Sequence, residues 1–312
     1  ALKKSNARVK SYSYSFQNGF KESGISKKIA NTCNFPLKEF TIEKGYLWSK
    51  VEELSAINEC YSEFTHPRQM AVIDEVAELG NTFSLGHWGD VLFDSDGLAE
   101  NIADIELVQI LKKKVLKKGG LELALSLWKA WGIEGAFEQY LEQRLLKLLS
   151  KIEIKNVNAK LRAFKSLYWA PRWTSVNLSV FENKHPILLP YYDDRMCKFI
   201  CEVPDELLSN RQIQIEYIKQ INKEVASIVW QDAKPFNLYN YHLAKAPYNI
   251  PYRIIDKLKR EFRTLLGKTF VQRNWELQFL GKENRQQLEK HLYYEGFLKF
   301  VDKATVDAYF DL

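Results

Sequence analysis

The first hundred residues alternate between strand and helix patterns, and this alternation constrains the fold more than any other feature of the chain. Residues 9–16 place serines on one face of an extended segment and larger side chains on the other, which is the period of a β-strand. The order then continues as helix (22–35), strand (38–42), a helix from Pro67 to Gly80, and strand (82–85). Such an order predicts an α/β fold with a parallel sheet.

The pattern changes after about residue 98, where long helical spacings follow one another and almost no strand pattern remains. These segments are 105–118, 121–131, 133–152, 213–229, 254–266 and 285–298. We therefore predict a partial α/β nucleotide-binding region over residues 1–98 and a mainly α-helical part over residues 99–312.

Charge gives little guidance about partners. The chain has 45 Lys and Arg against 39 Asp and Glu, a formal net charge of +6, but the two signs are interleaved. The densest basic run, KKKVLKK at 112–118, has the spacing of a solvated helix face, so a nucleic-acid partner is possible but not required.

Cysteine usage and hydropathy indicate a cytoplasmic protein without a membrane partner. The four cysteines, at positions 33, 60, 197 and 201, lack the spacing of a disulfide scaffold, and no histidine pair completes a zinc site with Cys197 and Cys201. No apolar run reaches the roughly 18 residues of a membrane span, and no signal peptide is visible. The chain opens without methionine, in what has the pattern of a helix tail, so we expect a preceding segment.

The stretch FSLGHWGDVLFDSDG at 83–97 is the main candidate site. Gly86 to Asp90 follow a strand, and ligands of parallel sheets bind at the carboxyl ends of strands. Gly86 and Gly89 let backbone N–H groups approach a phosphate, and Asp90 can hold the Mg²⁺ that accompanies a polyphosphate. His87 is either a phosphate donor or an ordinary surface histidine, and a tight turn capped by Asp90 explains the pattern equally well.

Two further segments, LPYYDDRMCKFICEVPDELL at 189–208 and VWQDAKPFNLY at 229–239, make the chain resemble a known family. The chain is similar to the synthetase domain of glutamine-hydrolysing asparagine synthetases, which are ATP pyrophosphatases with a PP-loop. The residues that carry the resemblance are Ser84, Gly86, Asp90 and Phe93 in the glycine loop, Pro190, Tyr191, Asp193, Met196, Phe199 and Pro204 in the second motif, and Thr65-His66-Pro67 before the loop.

The resemblance implies a fold and a reaction. The fold is an α/β core of the adenine-nucleotide alpha-hydrolase type, which is Rossmann-like, and it would be truncated at its N-terminus here. The reaction is attack of a substrate carboxylate on the α-phosphorus of ATP, followed by displacement of AMP by ammonia from glutamine. ATP and Mg²⁺ are the implied cofactors, and the implied partners are a carboxylate substrate, with aspartate as the candidate, and an upstream glutaminase domain.

The resemblance also implies roles for individual residues. Ser15 lies on the strand against which a flat nucleotide would rest, and Lys234 would neutralise charge on the reacting phosphates. The alternative for Lys234 is an exposed loop lysine. Asp193 either caps the following helix or contacts substrate.

The departures from the family pattern bear on activity. The PP-loop is missing, so we expect the chain as given to bind ATP poorly. Val91 replaces an acidic residue, Trp88 replaces a glycine, and the usual Glu-x-Arg before Pro190 is absent. A divergent amide ligase fits these changes better than a housekeeping enzyme. The alternatives are a non-catalytic relative that acts as a binding or scaffold module, and a PP-loop enzyme acting on RNA.

Overall fold

A computed structural model describes residues 8–19, 23–59, 68–117, 119–265 and 274–310. The described chain is mostly helical with short parallel strands. Its contacts divide it into two compact units, one formed by residues up to Phe93 together with Ser175–Leu280, the other by Asp94–Thr174 together with the residues from Gly281 onward. We refer to them as the first and the second unit.

The first unit opens with a strand, a helix and a parallel strand. Strand β1 (Ser11–Phe16) pairs in parallel with β2 (Leu37–Ile42), and α1 (Ser23–Cys33) connects them. Phe16 is buried in the core, so the period-two alternation places the serines of β1 on the opposite face. The sequence prediction of these three elements is confirmed within one or two residues.

A second parallel pair joins segments that are distant in sequence. Strand β3 (Phe83–Ser84) pairs with β4 (Ile187–Leu188), and the N–H groups of Phe83 and Leu85 donate to the carbonyls of Pro186 and Leu188. The described strands thus form two two-stranded sheets. The sequence analysis found almost no strand pattern beyond residue 98 and missed β4, because a two-residue strand is too short to show a period.

Helices make up most of the remaining described chain. In the first unit they are α2 (Tyr46–Asn58), α3 (Ile73–Ala77) and α4 (Gly89–Leu92). In the second unit they are α5 (Asp104–Val115), α6 (Gly120–Ala130), α7 (Phe137–Leu149) and α8 (Val157–Phe164). A π-helical turn (Lys165–Trp169) leads into α9 (Ala170–Glu182), which passes from the second unit to the first.

The first unit continues with α10 (Asp194–Glu202), α11 (Asp205–Leu208), α12 (Gln212–Ile221), α13 (Lys223–Ser227) and α14 (Ile250–Leu265). The second unit closes with α15 (Lys282–Leu292), α16 (Glu295–Leu298) and α17 (Lys303–Phe310). No helix in the described ranges has both the length and the apolar character needed to cross a bilayer.

Three differences from the sequence expectation have simple causes. The expected helix 213–229 is two helices, because Asn222 has an extended backbone and caps α13 by accepting from the N–H of Val225. The expected helix 285–298 is interrupted at Tyr294, which is also extended. The basic run begins in the last turn of α5, and Lys112 is largely buried and pairs with Glu138 and Glu142 rather than lying on a solvated face.

The division into units also differs from the division expected at residue 98. The chain returns after Ser175 to the first unit, where Val180 and Phe181 of α9 are fully buried beside Ile73 and Phe83. The expected boundary followed a change in local pattern, whereas the units follow contacts between distant segments.

Candidate functional site

The glycine loop and the second motif leave the same edge of one strand pair. Gly86–Asp90 follow the carboxyl end of β3, and Pro190–Asp193 follow the carboxyl end of its parallel neighbour β4. The carboxyl edge of parallel strands is where ligands of α/β proteins bind. Strand pairing therefore brings two of the segments that carry the family resemblance to one place.

Side chains pack the two segments together. The rings of Phe93 and Tyr191 meet edge to face with centroids 5.5 Å apart, and Leu92 and Phe93 share a buried cluster with Ile200 and Leu208. A β-carbon built on Gly89 would lie 2.4 Å from Cε2 of Tyr191. Only glycine fits at this position without movement of the tyrosine.

The backbone at Trp88 adopts a conformation that favours glycine. Trp88 has φ 70° and ψ −3°, the left-handed region that costs an L-residue roughly 1–2 kcal/mol. This is the position at which the resembled family has glycine. Trp88 packs against the cluster around Leu92 and Phe93, so burial of its ring offsets part of that cost.

His87 and Asp90 give the loop its titratable groups. Partial burial lowers the pKa of the His87 imidazole, while the charge of nearby Asp90 opposes that shift. His87 is therefore largely neutral near pH 7 and offers a hydrogen bond to a ligand without a full positive charge.

Asp90 is suited to hold Mg²⁺ as a single protein ligand. It is exposed at the start of α4, and within the described ranges no hydrogen bond or ion pair occupies its carboxylate. Groups of three or more metal-binding side chains are not found in that part of the chain. Mg²⁺ commonly binds proteins through one or two carboxylates and takes its other ligands from phosphates and water, so the donor set fits a substrate-delivered ion.

Asp193 acts as the N-cap of α10, as one of the two sequence alternatives predicts. Its carboxylate accepts from the backbone N–H of Arg195 at 3.0 Å and from the guanidinium Nε and Nη2 at 2.8 Å each. These hydrogen bonds from Arg195 lower the pKa of Asp193 to about 2. The substrate role for Asp193 stays a prediction.

Ser15 lies on β1, in the other two-stranded sheet of the first unit. It pairs with Thr41 of β2 and is half-buried on the face opposite the core. Both sheets contribute to one buried cluster, through Phe16 and Ile42 from the first pair and Phe83 from the second. No described contact joins Ser15 to the glycine loop itself.

Lys234 lies in an anchored loop. The backbone N–H of Trp230 donates to the carbonyl of Phe236, whose side chain is buried, and Trp230 packs beside Ile215 of α12. Lys234 itself is exposed with an extended ψ of 136°, as the following proline predicts. No described hydrogen bond or ion pair joins Lys234 to Gly86–Asp90.

The sequence analysis missed two side chains at this site. Gln214 of α12 donates through Nε2 to the Gly89 carbonyl at 3.2 Å and contacts the Tyr191 hydroxyl at 3.3 Å. The hydroxyl of Tyr192 is buried without a hydrogen-bond partner among the described residues, and burial raises its pKa to about 12. Gln214 belongs to no motif with recognisable spacing, so the sequence carried no signal for it. Tyr192 lies within the second motif, but the burial of its hydroxyl depends on tertiary packing.

Thr65-His66-Pro67, the third element of the resemblance, lies outside the described residues.

No protein-family model, curated protein or solved structure matches this chain.

Proposed function

We propose that this chain is the synthetase part of an ATP-dependent amide ligase related to the glutamine-hydrolysing asparagine synthetases. A carboxylate oxygen attacks the α-phosphorus of ATP and the bond to pyrophosphate breaks, which gives an acyl-adenylate. Ammonia then attacks the acyl carbon and AMP leaves, which gives the amide. The observation that carries the proposal is the shared edge of β3 and β4, where the glycine loop and the Pro190–Asp193 segment pack on each other.

The proposal includes a finer description of the fold. We propose that β1, β2, β3 and β4 belong to one Rossmann-like nucleotide-binding core. The parallel β1–α1–β2 connection supports it, as does the buried cluster shared by Phe16, Ile42 and Phe83.

The predicted phosphate-binding, metal-binding and catalytic residues each have a place in this proposal. Gly86 and Gly89 allow the loop backbone to approach phosphate oxygens, and neutral His87 donates a hydrogen bond to them. Asp90 holds Mg²⁺, which supplies charge neutralisation at the phosphates when it is bound. Ser15 lies toward the nucleotide, and Lys234 stabilises the charge that develops on the departing pyrophosphate.

Asp90→Asn provides the first test, because it preserves size and hydrogen bonding but removes the charge that attracts the metal. Calorimetric titration with Mg·ATP and assays of AMP and pyrophosphate release are made on the longest natural form of the protein. We expect Mg²⁺-dependent ATP binding and pyrophosphate release to fall together. Glu100→Gln removes an exposed carboxylate elsewhere and is the matched control. Unchanged binding and release in Asp90→Asn would leave Asp90 as a turn residue only.

Lys234→Met tests whether this lysine stabilises the negative charge that develops on the departing pyrophosphate. A residue that acts mainly on the transition state affects turnover more than affinity, so adenylation should slow by about two orders of magnitude while ATP affinity changes little. Lys223→Met, which changes an exposed lysine at the start of α13, is the control. Near-native turnover in Lys234→Met would remove this lysine from the reaction.

A non-catalytic binding module is the second candidate. Two observations favour it: Asp193 is held by Arg195, and the Gly89 backbone is covered by Tyr191 and Gln214. The loop would then be a structural turn. A folded protein that neither binds Mg·ATP nor releases pyrophosphate, for every carboxylate tested beginning with aspartate, would favour this candidate over the ligase.

A further inference from the structure

Helix α14 presents an unpartnered apolar face. Ile254, Ile255, Leu258, Phe262 and Leu265 recur at helical spacing, and between 48% and 84% of each side chain is exposed. A monomer in water rarely leaves so many large apolar side chains together on its surface.

The start of α14 is fixed to the first unit, and the described side chains that follow it on the helix are exposed. Tyr252 packs edge to face against the buried ring of Phe236, with centroids 5.5 Å apart. From Arg253 to Lys259 every residue is exposed. The helix is therefore anchored at its first turn and is accessible along the face that follows.

Charged side chains flank both edges of this apolar face, and most of those on the helix are basic. At about 100° of rotation per residue, Lys259 borders one edge of the apolar face beside Ile255, and the acidic Glu261 followed by Lys257 borders the other edge beyond Ile254. The helix carries five basic residues against two acidic ones, Asp256 and Glu261. The basic residues are Arg253, Lys257, Lys259, Arg260 and Arg263.

The occupant of this face must accept apolar side chains and neutralise flanking positive charge. A second copy packed through the same face would bring two positively charged helices together, which is unfavourable. An anionic lipid surface meets both requirements, because the apolar side chains enter the acyl boundary while the lysines reach the headgroups.

We propose that α14 lies in the interfacial plane of an anionic membrane and docks the protein on it. The proposal goes beyond the ligase activity and does not depend on it. The sequence expectation of no membrane partner rested on the lack of a spanning segment, and a helix that lies in the interface needs none.

Vesicle co-sedimentation of the full chain tests the proposal. The probes are phosphatidylcholine vesicles alone and vesicles with about a third phosphatidylserine. We expect binding to the anionic vesicles, which salt weakens. Leu258→Gln with Phe262→Gln should weaken partitioning by at least about tenfold, because two large side chains no longer enter the acyl boundary. Lys257→Gln with Lys259→Gln should weaken it several-fold, and only on anionic vesicles.

Two further variants keep the result interpretable. Leu167→Gln changes an exposed leucine on the π-helical turn and should leave partitioning unchanged. Leu258→Trp should show blue-shifted fluorescence with anionic vesicles, and the variants should keep the far-ultraviolet circular dichroism of the parent.

The other outcomes overturn the proposal. Vesicle binding that survives the Leu258 and Phe262 changes would place the contact on another surface. An absence of vesicle binding would also overturn it, whether the protein stays monomeric, self-associates through α14 or binds an acidic protein there.

Discussion

The two units build their cores in different ways. The second unit packs helices from one continuous stretch of chain: Leu107 and Leu111 of α5 share a cluster with Leu149 of α7 and Leu161 of α8, and all four are fully buried. The first unit joins segments that are far apart in the chain, since Phe16, Phe181 and Leu277 share one cluster. The second core can therefore form from residues within one stretch of the chain. The first core forms only when segments that are distant in sequence come together.

Polar contacts around the two cores also differ in how far apart in sequence their partners lie. In the second unit Lys112 bridges α5 to Glu142 of α7 at 2.6 Å, and Lys160 of α8 reaches Asp104 of α5 at 2.8 Å. These pairs connect the helices that form the core, which lie in one continuous stretch of chain. Outside that core, the hydroxyls of Ser126 and Tyr309, 2.9 Å apart, also join α6 to the distant α17. In the first unit, Gln214 and the Trp48 indole, which donates to the Gln278 carbonyl at 2.9 Å, join segments that are far apart in sequence.

Phe181→Ala should have the largest effect on stability. Phe181 is 1% exposed and its ring lies 5.1 Å from that of Phe83, so truncation should cost about 3–5 kcal/mol of unfolding free energy. Denaturant unfolding measures the loss, and amide hydrogen exchange locates it. Exchange should accelerate first in β1 and β3, with less change in α5 and α7. Equal acceleration in both units would show that they unfold together and that their cores do not differ in local stability.

Leu161→Ala is the matching change in the second unit. Leu161 is fully buried between α5 and α7, and its truncation should cost about 2–5 kcal/mol. Amide exchange should now accelerate in α5, α7 and α8. Leu161→Met keeps the volume and should cost less than about 1.5 kcal/mol. A Met variant as unstable as the Ala variant would argue against close packing at this position.

Gly89→Ala tests the packing at the candidate site without changing the main core of the first unit. The new methyl group would meet the Tyr191 ring, so we expect a loss of about 1–3 kcal/mol, or displacement of Tyr191 and loss of its contact with Gln214. Gly86→Ala is the control, because nothing lies within 4 Å of a β-carbon there. If both variants unfold alike, then the glycine loop and the second motif do not pack as described.

Asp96→Asn should have the smallest effect. Partial burial pushes the pKa of Asp96 upward, but hydrogen bonds from Lys114 and Lys165 outweigh it, so the pKa falls below its ordinary value. A lowered pKa contributes stability above the ordinary value of about 3.9, and that contribution is lost as pH falls through the folded-state pKa.

The Asn variant should therefore lose roughly 1 kcal/mol or less at pH 7. It should also show a shallower decline in stability below about pH 4. Denaturant unfolding from pH 7 to pH 3 measures both, with Glu100→Gln as control. An unchanged pH profile would mean that the bridge contributes nothing to folding.

The amino-acid sequence determined the local elements of this protein. Alternation of Ser and Tyr specifies β1, helical spacing specifies α5 and α12, and Pro235 sets the extended backbone of Lys234, because each depends on residues a few positions apart. Asp193 was recognisable as a helix cap for the same reason. The glycine loop was recognisable as an element at the end of a strand, and its phosphate-binding role stays a prediction.

Tertiary structure alone decided which of these elements meet. The pairing of β3 with β4, the return of α9 to the first core and the reach of Gln214 to Gly89 leave no local pattern. A two-residue strand has no period to detect, and a glutamine on an amphipathic helix resembles any solvated residue. These contacts form because burial of Phe83, Phe181 and their neighbours outweighs the entropy of closing long loops, and that balance is a property of the whole chain.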